Sequence, residues 1–171
     1  MQCWCGRSFF LVVALLVGLS GCASLSAEPT VKYDSYRNVT TVSTGLLNFA
    51  GPLNTCTMSA HFSAEGRKPA APEVVTFFFG AFSTDLRDTD NDFVGFLIDG
   101  ERVEMSAQNV SSGPRDSSLG HSLTWIVQVS PELVRRLAEA KAASVKFGRF
   151  ENTFTTKQQR SLAGLLETRE R

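Results

Sequence analysis

The run Val74-Val75-Thr76-Phe77-Phe78-Phe79-Gly80-Ala81-Phe82 constrains the fold more than any other stretch of this chain. Aromatic and β-branched residues favour a pleated backbone, and a run apolar at both odd and even positions predicts a central strand covered on both sides. Such a strand needs neighbours, and the flanking segments have the pattern to supply them. From Leu53 to Phe62 the chain alternates, with Cys56, Met58, Ala60 and Phe62 on one face and Thr55, Thr57, Ser59 and His61 on the other. Arg37 to Thr44 is rich in β-branched residues, and Leu123, Trp125, Val127 and Val129 alternate with polar residues. Phe93 to Ile98 and Arg102 to Ala107 flank Asp99-Gly100-Glu101, and Asp-Gly tolerates the positive φ that a tight hairpin turn demands. Val103 and Met105 are expected to point inward. Glu65 to Pro72 and Ser111 to Gly120 read as loops.

The last 42 residues, 130 to 171, change to a helical period. Ser130 suits an N-cap and Pro131 the first helical position, where a missing N–H costs nothing. Leu133, Val134, Leu137 and Ala138 form one apolar stripe, predicting a helix that ends near Ala143. Val145 to Phe150 and Asn152 to Thr155 read as two short strands joined by a tight turn. Thr156-Lys157-Gln158-Gln159 has the form of a capping box before a last helix carrying Leu162, Leu165 and Leu166. Gly164 inside that helix costs about 1 kcal/mol relative to Ala, so tertiary packing must hold it. The expected fold is α+β, an antiparallel sheet of about seven or eight strands with two C-terminal helices packed on it.

Composition narrows the class. With 43% hydrophobic residues the chain is too apolar to be disordered, and 17 basic against 17 acidic side chains argue against a nucleic-acid partner held by bulk charge. The charge is unevenly spread: residues 73 to 104 hold eight acids and two bases, and 131 to 171 hold nine bases and five acids. One acidic loop beside a basic helix accounts for this.

At the N-terminus, Arg7 is the only charge before Glu28 and precedes the apolar run from Phe9 to Val17. A positive segment followed by an apolar one of this length has the form of an export signal, and it is shorter than a membrane-spanning helix requires. Small residues then lead to Leu19-Ser20-Gly21-Cys22. This tetrapeptide resembles the lipobox of bacterial lipoproteins. The resemblance covers residues 1 to 22 only and implies diacylation of Cys22 on sulfur, cleavage before it, and acylation of the new amino terminus. Ala23, where the family's inner-membrane retention signal has Asp, implies the outer membrane, facing the periplasm. The expected organisation is a signal peptide over residues 1–21, a lipidated linker over 22–30 and a single α+β domain over 31–171. Cleavage removes Cys3 and Cys5 and Cys22 becomes a thioether, so Cys56 is left as the one free thiol. Its place in the alternation puts it in the core, where a thiol is inert and can persist unpaired in an oxidising compartment.

Candidate chemistry is sparse. Asp85, Asp88, Asp90, Asn91 and Asp92 form an acidic cluster, and Asp88, Asp90 and Asp92 have the spacing of a calcium loop. Phe93 occupies the position that requires Gly, and Asp99 stands where a bidentate Glu belongs, so a solvated loop without metal is expected. His61 and Cys56 lie five residues apart along a strand and should face opposite sides. His121 has Asp116, Ser117 and Ser118 nearby, without a recognised nucleophile motif. Two His, no C-x-x-C in the mature chain and no H-E-x-x-H predict no zinc site, and scattered glycines offer no phosphate loop. No catalytic residue, cofactor or small-molecule ligand is identified. The reading is a lipid-anchored envelope protein with a non-catalytic binding or assembly role toward another envelope protein, the alternative being a small periplasmic hydrolase or an enzyme inhibitor. An enzyme should join His61 or His121 to an acid or hydroxyl in a cleft, whereas a binding module should expose an apolar patch.

Overall fold

The computed structural model describes residues 28–49, 56–68, 71–83, 92–112 and 121–168. Among these the chain is α+β, with two antiparallel sheets and two late helices. The large sheet contains β1 (Thr30–Asp34), β2 (Val39–Ser43), β3 (Leu47–Phe49), β4 (Cys56–Glu65), β5 (Val75–Ser83), β8 (Gln108–Ser112) and β9 (His121–Val129). Its order is β1-β2-β4-β5-β9-β8, with β3 also on β4. A large antiparallel sheet is what the alternating segments predict; β2, β4, β5 and β9 are the expected strands in it, and β1, β3 and β8 are additions. A second, four-stranded sheet runs β11-β10-β6-β7, built from β6 (Phe93–Ile98), β7 (Glu101–Ser106), β10 (Ala143–Phe147) and β11 (Phe150–Thr153).

The two sheets share one turning strand. β7 pairs with β6 in the small sheet, and two residues later β8 pairs with β9 in the large one. Ala107 lies between them, its N–H donating to the Asp92 carbonyl at 2.8 Å. The sheets therefore face each other across an aromatic core. Phe79 of β5 lies 6.0 Å from Phe96 of β6 and 5.1 Å from Phe147 of β10, while Trp125 of β9 lies 5.2 Å from Phe147, between ring centroids. Each such side chain contributes roughly 1.5–3 kcal/mol on burial.

The helices α1 (Pro131–Glu139) and α2 (Thr156–Glu167) pack against each other and bury Leu133, Val134, Leu137, Leu162 and Leu165. Ser130 caps α1 with its hydroxyl accepting from Leu133 N–H at 3.2 Å, as its position predicts. Across the pair, Gln159 Nε2 of α2 donates to the carbonyls of Leu137 (3.1 Å) and Ala140 (2.8 Å), satisfying the last turn of α1. Gln158, also on α2, donates to the Asn48 carbonyl of β3 at 3.2 Å, which ties the helix layer to the large sheet.

Several boundaries differ from the expectation. The capping box uses Thr155, one residue earlier, whose hydroxyl accepts from Gln158 N–H while Gln158 Oε1 accepts from Thr155 N–H at 2.7 Å. Helix α1 stops at Glu139 rather than near Ala143 because Asp99 and Ala142 exchange hydrogen bonds that draw the chain into β10. Strand β8 occupies the first part of what reads as a loop, and residues 113–120 lie outside the described residues. The hairpin between β6 and β7 turns on Asp99 and Gly100, both at positive φ, as Asp-Gly predicts.

β2 and β3 are one strand interrupted by a bulge. Ser43 faces His61 and Leu47 faces Met58, so Thr44, Gly45 and Leu46 lie opposite two residues of β4. Gly45 takes φ +69°, and the buried Thr44 hydroxyl accepts the Ala60 N–H at 3.0 Å, replacing a ladder carbonyl that the bulge displaces.

Strand β5 is central, between β4 and β9, but it is not covered on both sides. Val75, Phe77, Phe79 and Ala81 are buried, whereas on the opposite face Phe82 is 49% exposed and Phe78 is only partly covered. The helices lie elsewhere, so the outer face of the large sheet stays open among the described residues.

Candidate functional site

The alternation that buries one side of β5 leaves Val74, Thr76, Phe78, Gly80 and Phe82 on the outer side. Phe78 lies opposite Ile126 of β9, and Gly80 opposite Thr124, which in turn faces Val110 of β8. A Cβ on Gly80 would stand 2.6 Å from Thr57 Oγ1, so the Thr57 hydroxyl occupies the notch between Phe78 and Phe82. The result is a shallow apolar band of Val74, Phe78, Phe82, Ile126 and Val110, bordered by Thr and Ser of neighbouring strands. Sequence reasoning assigns the Phe residues to the core, with an aromatic ligand groove as the lesser reading, and does not locate this band. One signal was present: Ile126 is the apolar exception on the otherwise polar face of β9.

His61 borders the band. Its ring stacks on Phe78 at 5.0 Å between centroids with an interplanar angle of 21°. Burial alone pushes its pKa below the ordinary imidazole value, since the charged form loses hydration and gains no anion in return. Cys56 lies on the other face of β4, in the core, so the two residues cannot form a dyad, as their spacing predicts. Burial pushes the Cys56 thiol up, and the Asn152 side chain beside it opposes that shift more weakly. The Asn152 Nδ2 forms no hydrogen bond of normal geometry, so its approach to the sulfur is loose.

The remaining candidates are dispersed. The backbone of His121 pairs with Ser83 at the start of β9. Asp116, Ser117 and Ser118, its possible partners, lie outside the described residues. So do Asp85, Asp88, Asp90 and Asn91 of the acidic cluster, and Cys22. Asp92 is exposed, and only its carbonyl has a structural role, at Ala107. Among the described residues no group of three or more His, Cys, Asp or Glu could hold a metal ion, and no helix is long and apolar enough to cross a membrane.

Two of the depressions among the described residues lie elsewhere. One of about 420 Å³ separates the Asp99–Gly100 turn from α1, between Ile98, Glu139 and Ala140, where Arg136 pairs with Glu101 at 2.7 Å. The other, about 190 Å³, lies on the outer face of the small sheet between Phe93, Leu97 and Lys146. Neither brings a histidine to its wall; Ser144, Lys146 and Glu151 line the smaller one. No family model matches this chain, and neither a curated protein nor a solved structure was found to be similar to it.

Proposed function

We propose that this protein is a lipid-anchored component of the bacterial cell envelope, held at the outer membrane through Cys22 and facing the periplasm, with a non-catalytic binding or assembly role. The observation that carries the binding role is the environment of His61. Its ring stacks on Phe78, between Ser43 and Thr76 of the neighbouring strands, and it lies on an open apolar sheet face of the kind that serves recognition. The anchor rests on Leu19-Ser20-Gly21-Cys22 and the apolar segment before it. Two or three acyl chains supply the multiple lipid signals that stable attachment requires.

The anchor is tested by labelling with a palmitate analogue. The wild type should be tagged and Cys22→Ala should not be; a tag that survives the substitution removes the anchor. The binding role is tested with a photo-crosslinking residue at Phe82 in intact membranes. One discrete adduct is expected, lost when Phe78→Ser and Ile126→Ser are introduced together. An adduct unaffected by that pair, or none at all, overturns the assignment of this face.

A further inference from the structure

Three large apolar side chains are exposed on β1 or at the turns beside its two ends: Val31 (51%), Tyr36 (fully) and Leu46 (66%). Their position follows from local structure. Val31 sits at the sheet edge opposite Val42, beyond the reach of the core. Leu46 is the last residue of the bulge, and because Thr30 pairs with Ser43 the chain enters β1 alongside that bulge. Tyr36 occupies the tip of the β1–β2 hairpin, where its N–H and that of Arg37 donate to Asp34 Oδ1 at 2.9 and 3.3 Å. This turn is set by its own hydrogen bonds, so the exposed ring projects from an ordered loop.

Basic groups accompany these side chains. Lys32 and Arg37 lie on the hairpin, and Arg67 and Lys68 follow β4, whose Gly66 N–H donates to the Asn38 carbonyl at 2.7 Å and so holds the two turns together. The Arg67 guanidinium lies over the Tyr33 ring at 5.3 Å. Against these four cations stand Asp34, whose carboxylate is occupied by the turn, and Glu65, with Glu28 at the entry to the strand. The local balance is positive in a chain with zero formal net charge.

The path of the chain gives this edge its partner. Only Ala23 to Glu28, six residues, separate Cys22 from Pro29. Fully extended, they span about 20 Å. Pro29 itself is fixed, since a Cβ on Gly164 of α2 would lie 3.1 Å from its Cδ. β1 then runs roughly 16 Å to its far end. With β1 standing upright, the Tyr36 turn would be held well clear of the bilayer. With β1 lying flat along its free edge, its whole length meets the interface: Val31 from the face it shares with Val42 and Lys32 from the opposite one, with Leu46 and Tyr36 at the two ends. Interfacial Tyr with neighbouring Lys and Arg suits that boundary, where one end of a side chain is apolar and the other wet.

We propose that the β1 edge, from the bulge at Leu46 to the turn at Tyr36, lies against an anionic phospholipid surface. This rests on the lipid anchor at Cys22 and adds an orientation to it: the domain is held flat by its hairpin rather than free on its tether. The open face with Phe78 and Phe82 then stands across the membrane plane, accessible from the periplasmic space.

The test uses the full chain, processed in cells, purified in detergent and reconstituted into phosphatidylethanolamine vesicles with about one-fifth phosphatidylglycerol. Tyr36→Trp places a reporter at the tip, and Leu97→Trp places one on the outer face of the small sheet; Trp125 is wholly buried and gives a constant background. Lipids brominated on the upper acyl chain should quench the Tyr36→Trp emission at least about twofold, the depth expected for an interfacial side chain, and leave Leu97→Trp unchanged. Adding Arg37→Glu and Lys68→Glu should reverse the quenching while lipid attachment, followed by mass, persists. A lipidated chain with unquenched Tyr36→Trp, or quenching indifferent to the two charge reversals, overturns the orientation alone. A chain of unlipidated mass overturns the anchor and the orientation with it.

Discussion

Pro29 rests against Gly164: the proline that leads into β1 fills the space a side chain would take on α2, with Cδ and Cγ 3.1 and 3.3 Å from where a Cβ would stand. A helix-weakening glycine is thus explained by a contact from the other end of the chain. Gly164→Ala should gain about 1 kcal/mol of helix propensity and return most of it through that crowding, leaving stability nearly unchanged. In a Pro29→Ala background the gain should emerge in full. Urea unfolding of the four proteins gives the coupling directly, and strictly additive effects would refute the contact.

Gln158 should matter more than the residue it caps with. Thr155→Ala removes one N-cap hydroxyl, a loss of about 1 kcal/mol. Gln158→Ala removes the reciprocal bond to Thr155 N–H and also the donor to the Asn48 carbonyl, from a site that is 2% exposed. Stranded buried groups bring the expected cost to about 2 kcal/mol or more. Equal unfolding midpoints for the two variants would mean the link from α2 to β3 contributes nothing.

The Cys56 thiol should resist modification in the native protein and react fully once unfolded, with a monomer band on a non-reducing gel. Its pKa is raised by burial, so the folded state holds the proton more tightly than the unfolded state. That contribution is complete below the ordinary thiol value and is lost as pH rises past it. Stability should therefore decline on the alkaline side of 9.0, the unshifted value, and Cys56→Ala should remove that part of the decline. Fast native labelling, or a dimer that reductant dissolves, would contradict the β4 register.

His61 behaves in the opposite sense. Its folded pKa lies below the ordinary 6.5, so the unfolded state binds the proton first and stability is lost as pH falls through 6.5 toward the folded value. Titration of the ring by NMR should give a midpoint under 6.5. His61→Phe keeps a ring against Phe78 and should lose less of its urea midpoint between neutral and mildly acidic pH than the wild type. A midpoint at or above 6.5 would reveal an anionic neighbour and reopen an acid–base role for this residue.

Local chemistry settled much of this protein in advance. Alternation put Cys56, Met58, Ala60 and Phe62 inward along β4, Asp99-Gly100 made its hairpin, and Ser130-Pro131 opened α1, because each depends on backbone preferences acting within a few residues. The existence of a large antiparallel sheet with late helices follows from the same patterns. What they could not supply was partnership at long range. β1 and β3 are short and carry little period of their own, and they exist because β2 and β4 offer them unpaired edges. The split into two sheets turns on one residue, Ala107, where the alternating stretch through β7 and β8 changes its pairing partner from β6 to β9. The run from Val74 to Phe82 shows the same division. Its composition made it a central strand, but whether its second face was covered depended on where α1 and α2 packed, and they pack against each other and β3. Hydrophobicity decides that a side chain benefits from burial; only the complete arrangement of elements decides which ones find it, and here Phe78 and Phe82 do not fully.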